Sequence, residues 1–212
     1  MPLEVINQNE NKISIRLKGI PIQYANALRR ICLNGVPIFA IDTIEVLENT
    51  SIMPDEAIAH RLGLIPLKTD SKDIVISEEA TDESDSRVML TLDSEENDLE
   101  DKSETRTVFS NELKGEESGV RPISDKIPIV TLAPGQKIKF QAYARLGRGT
   151  EHAKWNSANT SVLTETKNKD EHILTVESTG SLDAKNIVLI GMDELSTRLV
   201  KFKEMLSDLK TK

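Results

Sequence analysis

Residues 20–37 have the sequence IPIQYANALRRICLNGVP, which predicts one helix with two different faces. Pro21 suits the first turn of a helix, where a missing N–H costs little, and Gly35 followed by Pro37 ends it. At 100° per residue, six side chains fall within about 160° of arc: Tyr24, Ala25, Ala27, Leu28, Ile31 and Cys32. The opposite side carries Asn26, Arg29, Arg30 and Leu33. A surface helix with one buried and one solvated face would explain this pattern by itself.

A second amphipathic helix is predicted at the C-terminal end. Residues 180–182 form a turn signal, and Asp183 supplies an N-cap carboxylate. Apolar residues then recur at alternating spacings of four and three: Val188, Met192, Leu195, Leu199, Phe202, Leu206 and Leu209. This heptad seam extends over about 32 Å of helix. The seam could lie across the chain's own sheet, or a second chain could cover it.

Most other segments predict strands. Alternating or β-branched patterns occur at 4–17 (a strand pair), 36–46, 87–92, 127–132, 137–144, 161–167 and 172–178. A short helix is predicted from Pro54 to Gly63, with Asp55 and Glu56 in its first turn.

Composition limits the classes of protein to be considered. The 212 residues are 38% apolar with a mean hydropathy of -0.34, which indicates a globular chain of one or two domains. There is no apolar run of the roughly 20 residues that span a bilayer. The first residues lack a basic region followed by an apolar segment, so we expect a cytoplasmic protein. The single cysteine, Cys32, excludes an internal disulfide.

The net charge of -8 is concentrated in one segment. Residues 78–104 contain 12 acidic residues against Arg87 and Lys102, a balance of -10 that leaves +2 for the remainder. We expect long acidic loops here, either solvated or used to dock a basic partner.

Four sequence blocks occur in a family-specific order. They are NALRR at 26–30, PDEAIAHRLGLIPL at 54–67, ARLGRGTEHAKW at 144–155 and ESTGSL at 177–182. Together they resemble the alpha-like subunits of multisubunit DNA-directed RNA polymerase, a family with bacterial and archaeal members. The resemblance implies an α+β fold in which residues 1–48 and 157–212 form a discontinuous dimerisation domain, a sheet with two helices. Residues 49–156 would form a mostly β inserted domain with the acidic loops at about 78–104.

The resemblance also implies protein partners. Archaeal members pair with a smaller alpha-like subunit, called L. The interface with L would contain Tyr24, Leu28, Ile31, Val188, Met192, Leu195, Leu199, Phe202, Leu206 and Leu209.

The large catalytic subunits would dock on a second, basic surface. The family implies that it contains Asn26, Arg29, Arg30, His60, Arg61, Arg145, Arg148, His152, Lys154 and Trp155. Guanidinium groups suit bidentate contacts with carboxylates or backbone carbonyls. Solvated surface charge is the alternative interpretation.

No catalytic or metal site is predicted. Residues 147–149 are too short for a phosphate-binding loop, and His60, His152 and His172 lack metal-ligand spacing. Many archaeal family members carry a cysteine-rich iron–sulfur insertion between the last two strands. Here that place holds only ETKNKDE at 165–171, so we expect no iron–sulfur cluster and no other cofactor.

The resemblance therefore implies a non-catalytic assembly subunit that pairs with L and then seats the large subunits. A self-associating alpha-like scaffold or regulatory protein outside polymerase is the alternative.

Overall fold

The computed structural model describes residues 3–70, 74, 87–94, 105–115, 119–168 and 170–209. It divides into two compact units. The terminal unit comprises Met1–Pro37 and Arg148–Lys212, and the central unit comprises Ile38–Gly147. In chain order the elements are β1 (Leu3–Gln8), β2 (Lys12–Lys18), α1 (Ile22–Asn34), β3 (Ile38–Asn49), α2 (Asp55–Gly63), β4 (Val88–Asp93), β5 (Arg106–Phe109), β6 (Lys114–Gly115), β7 (Pro128–Leu132), β8 (Ile138–Gly147), β9 (Ala158–Glu165), β10 (Glu171–Ser178) and α3 (Ala184–Leu209).

The terminal unit is an antiparallel sheet covered by two helices. Its strand order is β1-β2-β10-β9, so β1 and β9 are the edges. Alternate residues of β2 and β10 are buried, among them Ile15, Leu17 and Leu174, as the twofold period of a half-buried strand requires. Helix α1 packs against β9, β10 and α3, and α3 packs against α1, β10 and β2.

The two helices of the terminal unit approach each other closely at Gly191. A Cβ atom at this position would lie 3.2 Å from the Cys32 Sγ and 3.6 Å from the Ile31 Cγ2. Ala25, Leu28, Ile31 and Cys32 are the buried residues of α1. The apolar face of α1 is therefore its inner face, directed at the sheet and α3.

The central unit is mostly β. Strand β3 pairs with β8 from Ile38 opposite Gly147 to Asn49 opposite Ile138, and the sheet order is β3-β8-β4-β6. Strands β5 and β7 form a separate antiparallel pair, and α2 packs against β3 and β7. The core contains the fully buried side chains of Phe39, Ile58, Leu62, Leu90 and Phe140.

The α+β fold expected from the sequence is confirmed, but the unit boundaries lie elsewhere. They fall at 37/38 and 147/148, whereas 48/49 and 156/157 were expected. The reason is the pairing of β3, which joins its partner β8 in one unit along its whole length. Of the acidic segment, only 87–94 lies within the described residues, and it contains the expected strand as β4. The dimerisation role of the terminal unit stays a prediction.

Candidate protein-binding site

Helix α3 is buried at its start and exposed at its end. Its buried residues are Ala184, Ile187, Val188 and Gly191. From Ser196 to Leu209 every residue is exposed, a length of about 20 Å at 1.5 Å per residue. The exposed end retains large apolar side chains: Leu199, Val200, Phe202, Met205, Leu206 and Leu209. Phe202 is 60% exposed and Leu209 is 72% exposed. We call this segment the exposed helix end.

The residues predicted to contact L fall into three groups by exposure. Leu28, Ile31 and Val188 are covered by their own chain, at 7%, 8% and 3% exposure. Met192 and Leu195 are half-buried. The exposed members are Tyr24, Leu199, Phe202, Leu206 and Leu209. A partner could therefore reach only part of the predicted set, because α1 and α3 cover each other's inner faces. The sequence interpretation omitted Met205, an exposed apolar residue that lies beside the seam on the helix surface.

Helical periodicity predicted that Arg29 points away from its own chain. The structure contradicts this prediction. Its side chain is half-buried against β9. The Nε donates to the Asn26 Oδ1 at 2.9 Å, and the NH1 donates to the Ser161 carbonyl oxygen at 3.3 Å. The Ser161 hydroxyl in turn donates to the Arg29 carbonyl oxygen at 2.8 Å. Arg30, the next residue, is exposed.

A groove of about 530 Å³ lies between α1 and the edge strand β9. The helix side is formed by Ile22, Gln23, Asn26 and Arg29, and the strand side by residues 161–163. Ile22 and Val162 are 44% and 45% exposed. The guanidinium of Arg29 is the one charged group lining this groove among the described residues.

The third sequence block, residues 144–155, binds the C-terminal end of α1 and contacts α3. Thr150 N–H donates to the Asn34 carbonyl oxygen at 3.2 Å. A Cβ at Gly149 would lie 2.8 Å from the Asn34 Cβ, so only glycine fits this approach. Arg148 NH2 donates to the Glu194 Oε1 at 2.6 Å, and Glu194 also pairs with Arg198 at 3.3 Å. Arg148 therefore has an ionic partner within the terminal unit, which its position in the sequence did not indicate.

The remaining predicted basic residues are in different environments. In the terminal unit, Trp155 is buried and Lys154 Nζ lies 4.2 Å from its ring centroid, while the His152 Nδ1 accepts from the Lys154 N–H. In the central unit, His60 is exposed and Arg61 NH2 donates to the Pro128 carbonyl oxygen.

Arg145 also belongs to the central unit. Its Nε donates to the Asp42 Oδ2 at 2.9 Å. The predicted ten-residue surface is thus divided between two units.

Cys32 has the environment of an unreactive core thiol. It is completely buried in α1, and this burial raises the pKa of the thiol from 9.0 to about 12. The thiolate, which is the nucleophilic form, is therefore suppressed at neutral pH.

The described residues offer no cluster suited to a metal. Among them, no group of three or more His, Cys, Asp or Glu side chains is arranged to hold a metal ion. The 165–171 segment contains no cysteine, so its residues do not fit an iron–sulfur cluster. In the described part of the chain, every helix is too short or too polar to cross a bilayer.

Comparison with known families defines the class of protein. Residues 40–165, more than half of the chain, match the family described as the RNA polymerase Rpb3/RpoA insert domain. The chain belongs to this family.

Several curated proteins are similar to this chain and share one name. "DNA-directed RNA polymerase subunit Rpo3" of Pyrococcus horikoshii is 42% identical over 153 residues, which cover 72% of this chain and 55% of the relative. The Rpo3 subunits of Methanosphaera stadtmanae and Aeropyrum pernix are each 36% identical, over 76% of this chain and 59% and 58% of the relatives. The chain thus spans somewhat more than half the length of the relatives it matches.

Proposed function

We propose that this chain is a D-type alpha-like subunit of an archaeal DNA-directed RNA polymerase, working in the cytoplasm as a non-catalytic assembly subunit. It pairs with the smaller alpha-like subunit L, and the pair seats the large catalytic subunits. The relatives named as polymerase subunits support the polymerase assignment. The exposed helix end is the single observation that supports the proposed pairing with L.

The energetics favour a permanent partner on this surface. Five large apolar side chains lie within 11 residues on one side of the helix and are exposed: Leu199, Phe202, Met205, Leu206 and Leu209. Burying a Leu, Phe or Met contributes about 1.5–3 kcal/mol each. A helix from L laid along this segment would give the apolar, core-like contact that is typical of obligate interfaces. Contiguous apolar surface of this kind is uncommon on monomers.

The test is a charge placed in the exposed helix end. We expect Phe202→Asp to weaken L binding at least 100-fold, because a carboxylate would be buried in the interface. Ile52→Asp is the matched control, since Ile52 is an exposed apolar residue of the central unit. Co-expression with tagged L, followed by titration of the purified chains, measures both variants. Unchanged binding by Phe202→Asp would disprove the pairing surface.

The scaffold alternative predicts a different result in the same assay. A second copy of the chain could also cover the exposed helix end. In that case the chain purified alone would be a stable homodimer, and adding L would not exchange its subunits. A chain that purifies alone as a monomer and forms a one-to-one complex when L is added supports the polymerase assignment.

We include the absence of an iron–sulfur cluster in this proposal. The chain has one cysteine, and burial keeps it from solvent. Anaerobic reconstitution with iron and sulfide should give no visible absorbance band. A band that co-purifies with this chain would contradict the proposal.

A further inference from the structure

A pocket lies in the terminal unit between the start of α1 and the connection from β9 to β10. Its volume is about 530 Å³, which is the size of a small-molecule site. One side is formed by residues 19–22, which lead into α1. The other side consists of the strand connection and the adjoining strand ends: Glu165, Thr166, Asn168, Asp170, Glu171 and His172.

His172, one of the lining residues, has a buried ring nitrogen that its own chain leaves unpaired. The residue is 6% exposed, and its Nδ1 has no hydrogen-bond partner within the described part of the chain. Buried polar atoms are nearly always paired, because an unpaired atom has lost its hydrogen bonds to water. A ligand with an N–H or O–H donor would supply the missing partner.

Strand pairing places a carboxylate next to this imidazole. His172 lies opposite Leu17 of β2 and Glu165 of β9. Directly paired residues of antiparallel strands project to the same face of the sheet, with Cβ atoms about 4.5–5.5 Å apart. Leu17 is 1% exposed and belongs to the inner face. Glu165 and His172 are therefore neighbours on the inner face, and both line the pocket.

The charge of the pocket is negative. It is lined by Glu165, Asp170 and Glu171, and no Lys or Arg is among the described lining residues. Glu171 pairs with Lys18 at 4.0 Å, whereas Glu165 and Asp170 have no ion-pair partner among the residues that the structure describes. A cleft lined by charges of one sign concentrates ions of the opposite sign. The described side chains are not arranged to hold a metal ion, so the pocket favours an organic cation.

We propose that this pocket binds an aliphatic primary ammonium group, supplied by a free diamine or by a lysine side chain of a partner subunit. An ammonium has three N–H donors. One makes a charge-assisted bond to the Glu165 carboxylate, and another donates to the Nδ1 of neutral His172, where a single ring nitrogen accepts. The Asp170 carboxylate adds negative charge at the same pocket. The free-amine form of the proposal does not depend on the proposed function.

The experiment titrates the full chain with 1,4-diaminobutane and follows the histidine ring signals by NMR. The chain has three histidines, so selectively labelled histidine gives few, assignable signals. We expect the His172 signal to move, while His60 and His152, which are exposed and do not line the pocket, serve as internal controls. Tetramethylammonium should bind about tenfold more weakly, because it has the charge without N–H donors.

A pair of matched acidic variants tests the carboxylate. Glu165→Gln should raise the Kd for 1,4-diaminobutane about tenfold, because it removes the charged acceptor. Glu177→Gln is the control, since Glu177 belongs to β10, does not line the pocket and pairs with Lys12 at 3.7 Å. It should change the Kd by less than about twofold, as expected for an exposed charge outside the site.

His172→Phe separates a ligand-binding role from a structural role. Phenylalanine keeps a planar ring and removes the unpaired acceptor, so the free energy of unfolding in urea should stay the same or rise. The affinity for 1,4-diaminobutane should nevertheless fall. A variant that is less stable than the parent chain would show that Nδ1 already has a partner, and this would overturn the proposal.

The remaining outcomes are equally distinct. An unmoved His172 signal, equal binding of tetramethylammonium, or unchanged affinity of Glu165→Gln would each disprove the ammonium site. These titrations use the chain without L, so their failure leaves the proposed function intact.

Repeating the titration on the heterodimer with L identifies the source of the ammonium group. Continued binding of 1,4-diaminobutane supports a free amine as the ligand. Loss of that binding, with the His172 signal already at its bound position, supports a lysine side chain of L.

Discussion

The two ends of α3 have the same apolar seam and opposite environments. Ile187 and Val188 are buried beneath α1 and the sheet, whereas Phe202 and Leu206 on the same helix are exposed. Chemically the seam hardly changes between them. The difference arises because the sheet and α1 extend under only the first part of a 26-residue helix. An apolar seam thus predicts which side of a helix will be covered. Whether the same chain covers that side depends on how far the neighbouring helix and strands extend along it.

The largest expected effect is a difference in the free energy of unfolding between two variants. Each variant truncates one apolar side chain, at opposite ends of α3. Ile187→Ala removes a fully buried side chain and should lower the free energy of unfolding by about 2–5 kcal/mol. Leu206→Ala removes a side chain from the exposed helix end and should change it by less than about 0.5 kcal/mol. Urea denaturation of the chain without L measures both. Similar losses in the two variants would show that the exposed helix end is covered in solution.

A smaller effect is expected where α1 and α3 approach most closely. Gly191→Val places two extra methyl groups and a Cβ against the Cys32 Sγ and Ile31 Cγ2. Overpacking of this kind costs about 1–3 kcal/mol. Substituting Val at Ser196, in the exposed part of the same helix, is the control and should be nearly neutral. Thermal or urea unfolding provides the comparison, and equal stability of the two variants would contradict the close helix contact.

At neutral pH the smallest effect is expected at Cys32, because its contribution to stability changes only in alkaline solution. Burial raises the pKa of its thiol from 9.0 to about 12, so the unfolded chain loses this proton at a lower pH than the folded chain. The resulting stability is fully present below pH 9 and is lost as the pH rises towards 12, by up to about 1.4 kcal/mol per pH unit. Cys32→Ala should remove this part of the slope. Identical slopes for the two proteins above pH 9 would show that the thiol is not buried.

The sequence located helices α1, α2 and α3 and most of the described strands because their signals are local. Pro21 and Gly35 are adjacent to the ends of α1, and the seven seam residues all lie within α3. The alternating pattern at 4–17 predicted a strand pair, and β1 and β2 form it. The boundary between the two units was misplaced because it depends on the pairing of β3 with β8, which lie about a hundred residues apart.

The candidate surfaces were only partly predictable, because they too depend on contacts between segments that are far apart in the sequence. The sequence by itself determined that α1 and α3 each have an apolar face, that the chain has one thiol, and that α1 carries adjacent arginines. Only the tertiary structure decided that Leu28 and Val188 are covered, that Phe202 is exposed, and that Arg29 bonds to β9. Periodicity specifies a direction around a helix axis, whereas coverage depends on which distant segments fold against that side and how far along it they reach.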